Sequence, residues 1–325
     1  MTQDMLNAGL RLWEVQKDQG TGLCVGLDPH YDPKEGIGPE LYQQFASPAY
    51  TEYFGRLLKV MRWWRQMGVL GFNSVFLAGV CCYFAKVCQA AWQNGIRIFK
   101  LQCAFYEDFQ PFAGVMLAEV CQTLHTLAKD REEFFLICDA KRGDITETQI
   151  PYYRAYLSDL GADAFPKGCG QFGFDAMTVT TWMGEDVLTP GLPFFRRGKG
   201  AIVVTRSSNP SGTTLQDAVV RANSSIELTG KQEPFRLTKD VIDAVTVLIE
   251  RPPTAHEVML YQTERFSEMY GLNQHGVGPI FSVIGATVMM DKTFRKIRPN
   301  GIALIPGFGA QGGEFKNVMP LVVKE

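Results

Sequence analysis

Apolar residues along this chain follow two alternating rhythms. Short β-branched or aromatic runs occur at Leu23–Leu27, Ile96–Leu101, Phe134–Cys138, Ala176–Thr181, Ala201–Thr205, Ile280–Ile284 and Ile302–Ile305, most of them ending in polar or glycine-rich sequence. Between them, Tyr50–Trp64, Phe112–Lys129, Gln149–Leu160 and His256–Tyr270 carry apolar residues at helical spacing. A run that is apolar at every position suits a strand covered on both faces, and strands alternating with helices predict parallel βαβ units. Seven strands fit an open doubly wound sheet, whereas a (β/α)8 barrel needs one more. The polar residues decide between the two. Asp28, Lys100, Asp139, Lys141, Ser208 and Gln311 lie at or beyond the ends of many different strands. Functional groups drawn from many strand ends describe a barrel mouth rather than a single crevice. The pattern therefore predicts an α/β fold, a TIM barrel, as one domain over residues 1–325.

Two stretches stand apart from the rhythm. Residues 218–255 form a long polar connection containing Asn223-Ser224-Ser225, Gly230 and Arg251-Pro252-Pro253. Unstructured connections of that length are uncommon in a compact domain, so a helical insertion is expected. Met67–Ala85 is nearly all apolar but holds Asn73, Ser74 and three glycines, and Lys86 follows it. A buried helix or helix–turn–helix of a barrel wall is expected there, since the stretch would be minimal for a bilayer.

Composition narrows the function class. The net charge of −2 and pI near 6.1 give no electrostatic footprint for nucleic acid. Eight scattered cysteines without a CxxC pair, and four isolated histidines, predict reduced, packed thiols and no structural metal. Met1–Leu12 lacks the pattern of a signal peptide, and the chain reads as cytoplasmic.

The densest chemistry lies in Asp139-Ala140-Lys141-Arg142-Gly143-Asp144, at the mouth of the third run. Residues two apart on a strand share a face, which pairs Asp139 with Lys141, while Asp144 and Thr148 fall beyond the strand end. An ion-paired strand end on a surface would read the same way locally. Lys100 is a lone charge in Ile98–Gln102 and calls for an anionic partner, for which Asp139 on the neighbouring strand is the candidate. After the last run, Pro306-Gly307-Phe308-Gly309-Ala310-Gln311-Gly312-Gly313 can turn successive N–H groups toward an anion, with a helix start adding its dipole. Ser207-Ser208-Asn209-Pro210 is equally an ordinary turn and a ligand contact.

These segments resemble, in order, the orotidine 5′-phosphate decarboxylase family, in its longer bacterial type. The resemblance is carried by Gly26-Leu27-Asp28-Pro29, Lys100-Leu101-Gln102-Cys103-Ala104-Phe105-Tyr106-Glu107, Asp139–Ile145, Asp175–Val179 with Met183–Asp186, Arg206–Pro210 with Leu215-Gln216-Asp217, Gly285-Ala286-Thr287 and Pro306–Gly313. It implies a (β/α)8 barrel acting as a homodimer with shared active sites, which converts orotidine 5′-phosphate to UMP with neither cofactor nor metal. By resemblance, Lys100, Asp139 and Lys141 match the family's catalytic charge chain, and Asp144 its last member, which reaches into the partner's site. Thr148 and Asp28 match ribose contacts, Thr148 across the same interface. Ser208 matches a pyrimidine contact, and Gln311 a residue near phosphate and base, beside Gly312 and Gly313. Chemistry agrees: loss of CO2 leaves a carbanion at C6, which a fixed ammonium at Lys141 stabilises and then protonates.

Two departures accompany the resemblance. Thr180-Thr181-Trp182 stands where the family usually carries Asn-Pro-Tyr, and no arginine follows Arg298. The family's phosphate-binding arginine and complete eighth strand therefore have no counterpart before Glu325, which leaves backbone N–H groups and a cation such as Lys316 for the phosphate. Two other readings share these residues: a metal-dependent lyase acting on a sugar phosphate, and a degenerate barrel that binds nucleotide without turnover.

Overall fold

The computed structural model describes residues 7–30, 38–62, 66, 74–158, 172–221, 239–287, 292–308 and 312–322. The strands are β1 (Val25–Gly26), β2 (Ile98–Gln102), β3 (Phe135–Arg142), β4 (Ala176–Val179), β5 (Gly200–Arg206), β6 (Ile280–Ile284) and β7 (Ala303–Leu304). All seven fall on the apolar runs of the sequence. The principal helices are α1 (Ala8–Gln19), α2 (Pro39–Gln43), α3 (Pro48–Val60), α4 (Ser74–Gln93), α5 (Ala113–Leu127), α6 (Thr146–Leu157), α7 (Lys239–Ile249) and α8 (Ala255–Tyr270). Four of these match the helical spacing noted above, while α1 lies outside the segments named there.

The chain forms two compact units: Glu14–Ala140 with Arg154–Phe174, and Met1–Trp13 with Lys141–Tyr153 and Asp175–Glu325. In the first unit β1, β2 and β3 pair in parallel, with Gly26 opposite Lys100 and Gln102 opposite Asp139. Phe135 to Cys138 are all buried, as a strand covered on both faces requires. Helix α4 packs against α2, α3 and α5. It is the one helix among the described residues long and apolar enough to cross a membrane, and half of its most apolar window is buried inside the protein. Residues 67–73, the start of that apolar stretch, lie outside the described residues.

Gly79 explains how α4 approaches α2. A Cβ there would overlap the Tyr42 carbonyl and come within 2.9 Å of the Gln43 nitrogen, both backbone atoms that cannot swing aside. Gly79→Ala should therefore destabilise the protein by about 1–3 kcal/mol, the usual cost of overpacking. Urea unfolding measures this directly. An unchanged midpoint would mean that α2 moves without penalty.

In the second unit β4 to β7 pair in parallel and in chain order, and the last residues of β3 adjoin β4, with Thr180 N donating to Arg142 O at 2.9 Å. Its core gathers Val245 and Ile249 of α7, Leu260 of α8, Ile284, Phe294 and Leu321. Helix α7 lies within the polar 218–255 connection, so part of that stretch contributes to the core. Residues 222–238, which include Asn223-Ser224-Ser225 and Gly230, lie outside the described residues.

Candidate active site

Strand register builds the first cluster. With Gly26 opposite Lys100 and Gln102 opposite Asp139, the residues at the ends of β1, β2 and β3 come level. Lys100 and Gln102, two apart on β2, share a face. Lys100 Nζ lies 3.4 Å from Asp28 Oδ2 and 3.5 Å from Asp139 Oδ2. The expected Lys100–Asp139 pair is present, and Asp28 makes it a triad. Gln102 donates to both acids, from Nε2 to Asp139 Oδ2 and from the backbone N to Asp28 Oδ1, each at 3.0 Å.

The Lys100 amine is charged for a physical reason. Burial works to lower the Lys100 pKa, but Asp28 and then Asp139 outweigh it, so the amine is raised above its ordinary value. Each carboxylate at this range contributes on the order of 4–5 kcal/mol at an effective dielectric near 20, against a desolvation cost of several kcal/mol. One acid would leave the balance close; two settle it. Burial also pushes the neighbouring Cys24 thiol up to about 12, which keeps it neutral beside the amine.

Lys141 departs from the regular pleat of the strand. It lies near the end of β3, but its φ of +47° puts its backbone in the left-handed region. The alternation that would pair it with Asp139 assumes extended backbone, so the pleat alone does not set its direction. Lys141 N donates to Thr178 Oγ1 of β4 at 2.9 Å, which holds the turn. Two residues on, Gly143 has no room for a Cβ, because Thr180 O and Oγ1 occupy that space. A lysine held in this conformation costs roughly 1–2 kcal/mol, and such strain concentrates at functional positions.

Beyond the strand, Asp144 Oδ1 accepts from Ile145 N at 2.8 Å, and Thr148 lies exposed in the first turn of α6. Ser208 follows β5, whose register slips against β6 between Val204 and Arg206 and so redirects the chain. Buried Arg206 grips Asp217 with Nε at 2.8 Å and Nη2 at 2.9 Å, a bidentate pair beneath the turn. Gln216 Oε1 accepts from Ser207 N at 2.9 Å, and Thr287 Oγ1 donates to Ser208 O at 2.9 Å. Gly285 is required here, since a Cβ would meet Ser208 Cα at 2.5 Å. Three of the recognised segments thus form one supported turn.

The glycine-rich loop is closed by a Gly313 N to Gly307 O bond of 2.8 Å, with Gly307 and Gly312 at φ +108° and +72°. Gln311 lies outside the described residues. The helix after the loop is only Phe315–Val318, so its dipole is much weaker than the sequence reading supposed. Lys316 is exposed and paired with Glu314. Arg298 is 1% exposed and bonded to Glu264, Ser282 and Ile280, which removes it as a phosphate ligand.

Sequence reasoning quoted Gln102, Thr178 and Arg206 only as parts of segments or not as functional groups. Gln102 was legible in principle, because it sits two residues beyond Lys100 on the same strand. The Thr178 and Arg206 contacts depend on tertiary packing.

Comparison with known proteins identifies the family and the fold. Residues 21–233 match the family model described as orotidine 5′-phosphate decarboxylase / HUMPS family. An orotidine 5′-phosphate decarboxylase of Rhodopirellula baltica is 28% identical over 305 residues, covering 92% of this chain and 77% of the relative. One from Caldicellulosiruptor bescii is 26% identical, covering 73% of this chain and 65% of its own length. Among solved structures, an orotidine-monophosphate-decarboxylase from Toxoplasma gondii superposes with a TM-score of 0.61 at 22% identity, over 97% of this chain and 83% of that one. One from Plasmodium yoelii gives 0.62 at 18% identity, over 97% and 88%. These structures share the fold, and the family match extends through the Lys100, Asp139 and Ser208 segments alike. The chain belongs to the orotidine 5′-phosphate decarboxylase / HUMPS family.

Proposed function

We propose that this chain, a carboxy-lyase of pyrimidine biosynthesis, converts orotidine 5′-phosphate to UMP through Lys141, with Lys100, Asp139 and Asp144 completing the charge chain. The observation that carries the reading is the Asp28–Lys100–Asp139 triad, whose Asp139 lies on the strand that, two residues later, holds Lys141 in strained backbone. The bond from C6 to the carboxylate carbon breaks and CO2 leaves with the pair of electrons remaining on C6. The Lys141 ammonium stabilises that charge and transfers a proton to it, and solvent then reprotonates the amine. Asp28 and Thr148 hold the ribose, Ser208 the pyrimidine, and Gln311 with Gly312 and Gly313 the phosphate end. Binding energy from the distant phosphate is used to hold the substrate against this charge array. The reaction needs no cofactor or metal.

The working form is a cytoplasmic homodimer of single barrel domains, with the 218–255 segment as an insertion. Exposed Ile145 and Thr148 beside Asp144 support a role for this strand end against a second copy. The test is ultraviolet absorbance loss of orotidine 5′-phosphate with purified protein and a chelator. Turnover that depends on added divalent metal would remove the reading. A second arm mixes inactive Lys141→Ala and Asp144→Ala chains. If Asp144 acts across an interface, half the random dimers are hybrids with one intact site each, so activity should recover to about a quarter of wild type. No recovery after demonstrated subunit exchange would remove the shared site.

A further inference from the structure

We infer that Gln102 is a positioning residue for the decarboxylation, acting as a clamp on the two acids that flank Lys100; this rests on the decarboxylase reading above. Its side-chain amide donates to Asp139 Oδ2 at 3.0 Å, and its backbone N–H donates to Asp28 Oδ1 at 3.0 Å. Lys100 approaches the same Asp139 oxygen at 3.5 Å and the other Asp28 oxygen at 3.4 Å. One residue therefore touches both acids and shares an oxygen of Asp139 with the lysine.

The chemistry of the side chain suits the place. A second cation would compete with Lys100 for the same acids, and a third carboxylate would repel them. A neutral amide donates a hydrogen bond and adds no charge. Register explains the placement, because Gln102 is the residue opposite Asp139 at the last rung of the β2–β3 pairing. Asp139 is 7% exposed, so solvent offers little to replace a lost donor. Lys141 lies two residues beyond Asp139 on the same strand, and under the decarboxylase reading that acid belongs to one charge chain with its amine. The two contacts are also separable, since the bond to Asp28 comes from the backbone and survives a side-chain substitution.

The experiment compares wild type, Gln102→Ala and Gln102→Glu by steady-state kinetics between about pH 5 and 9, the range in which a shared carboxyl proton is gained and lost. A hydrogen bond to a charged group supports a fall in kcat of about 10- to 100-fold for Gln102→Ala, with KM changed little. Gln102→Glu sets a second carboxyl group against Asp139, and the pair then shares one proton. That variant should work at low pH, while the proton remains to donate, and lose kcat as pH rises, along a limb that wild type lacks. A residue that only fills space would not create this limb. Wild-type kcat in Gln102→Ala, or a Gln102→Glu profile superimposable on wild type, would overturn the inference. If the wild-type protein does not turn over orotidine 5′-phosphate, the functional reading fails by itself, and a crystal structure of Gln102→Ala decides the clamp. An Asp139 carboxylate turned from its wild-type orientation supports it, and an unmoved one overturns it.

Discussion

Replacing Lys141 with alanine should reduce kcat on orotidine 5′-phosphate by at least about 10⁴-fold, because two separate effects leave with one amine. Proton transfer by a positioned acid is worth roughly 10²–10⁴, and stabilisation of developing charge roughly 10²–10³. The variant should still fold. Lys141 is exposed, and alanine meets the same left-handed backbone that the lysine does. Glycine at this position should be more stable than alanine by about 1 kcal/mol, since it carries no Cβ to strain, yet be equally inactive. Lys141→Arg keeps a cation but holds its proton too tightly to donate, so it should not restore turnover. Absorbance assays alongside thermal melts separate these effects. An alanine variant keeping more than about one per cent of wild-type kcat would contradict the combined role assigned to the amine.

The largest expected effect on stability lies away from this chemistry, at Arg298. Its Nε donates to Glu264 Oε2 at 2.7 Å, Nη1 to Ser282 Oγ at 2.6 Å and Nη2 to Ile280 O at 2.7 Å. Burial draws the guanidinium below its usual range, while Glu264 pushes back up and favours the charged form. Arg298→Met leaves the Glu264 carboxylate buried without its partner and should cost about 3–5 kcal/mol in urea unfolding. Pairing it with Glu264→Gln should recover part of that loss, because the stranded charge is then removed. If the double variant is as unstable as the sum of the two singles, the cost lies in packing instead of charge.

The strands were readable because a parallel strand covered on both faces leaves a continuous apolar run, a signal that depends only on neighbours in the chain. β6 coincides with its run from Ile280 to Ile284, and the others differ at their ends by a few residues. β3 extends to Arg142, past the apolar run, since backbone pairing continues where side-chain hydrophobicity stops. Helix α1 was not legible, as the mean hydropathy of Ala8–Gln19 is low. Six of its residues are buried nonetheless, Ala8, Leu10, Leu12 and Val15 among them. That choice was made by packing.

The candidate chemistry divides along the same line. The types and spacing of Lys100, Asp139, Lys141 and Asp144 are properties of the chain, and they were sufficient to reach the family. The sequence also placed Asp28 and Ser208 at strand ends, because charge after an apolar run needs no tertiary information to be noticed. What only the tertiary structure decided is how those groups are held. Asp28 joins Lys100 and Asp139 because β1, β2 and β3 pair in one register. Lys141 turns out of extended backbone because Thr178 on β4 takes its N–H and Gly143 allows Thr180 to approach. Arg298 is a core ion pair and not a ligand because Glu264, 34 residues away, reaches it. Residue type and local period are encoded within a few positions of the chain; partner, direction and burial come from segments that meet only when strands pair and helices pack.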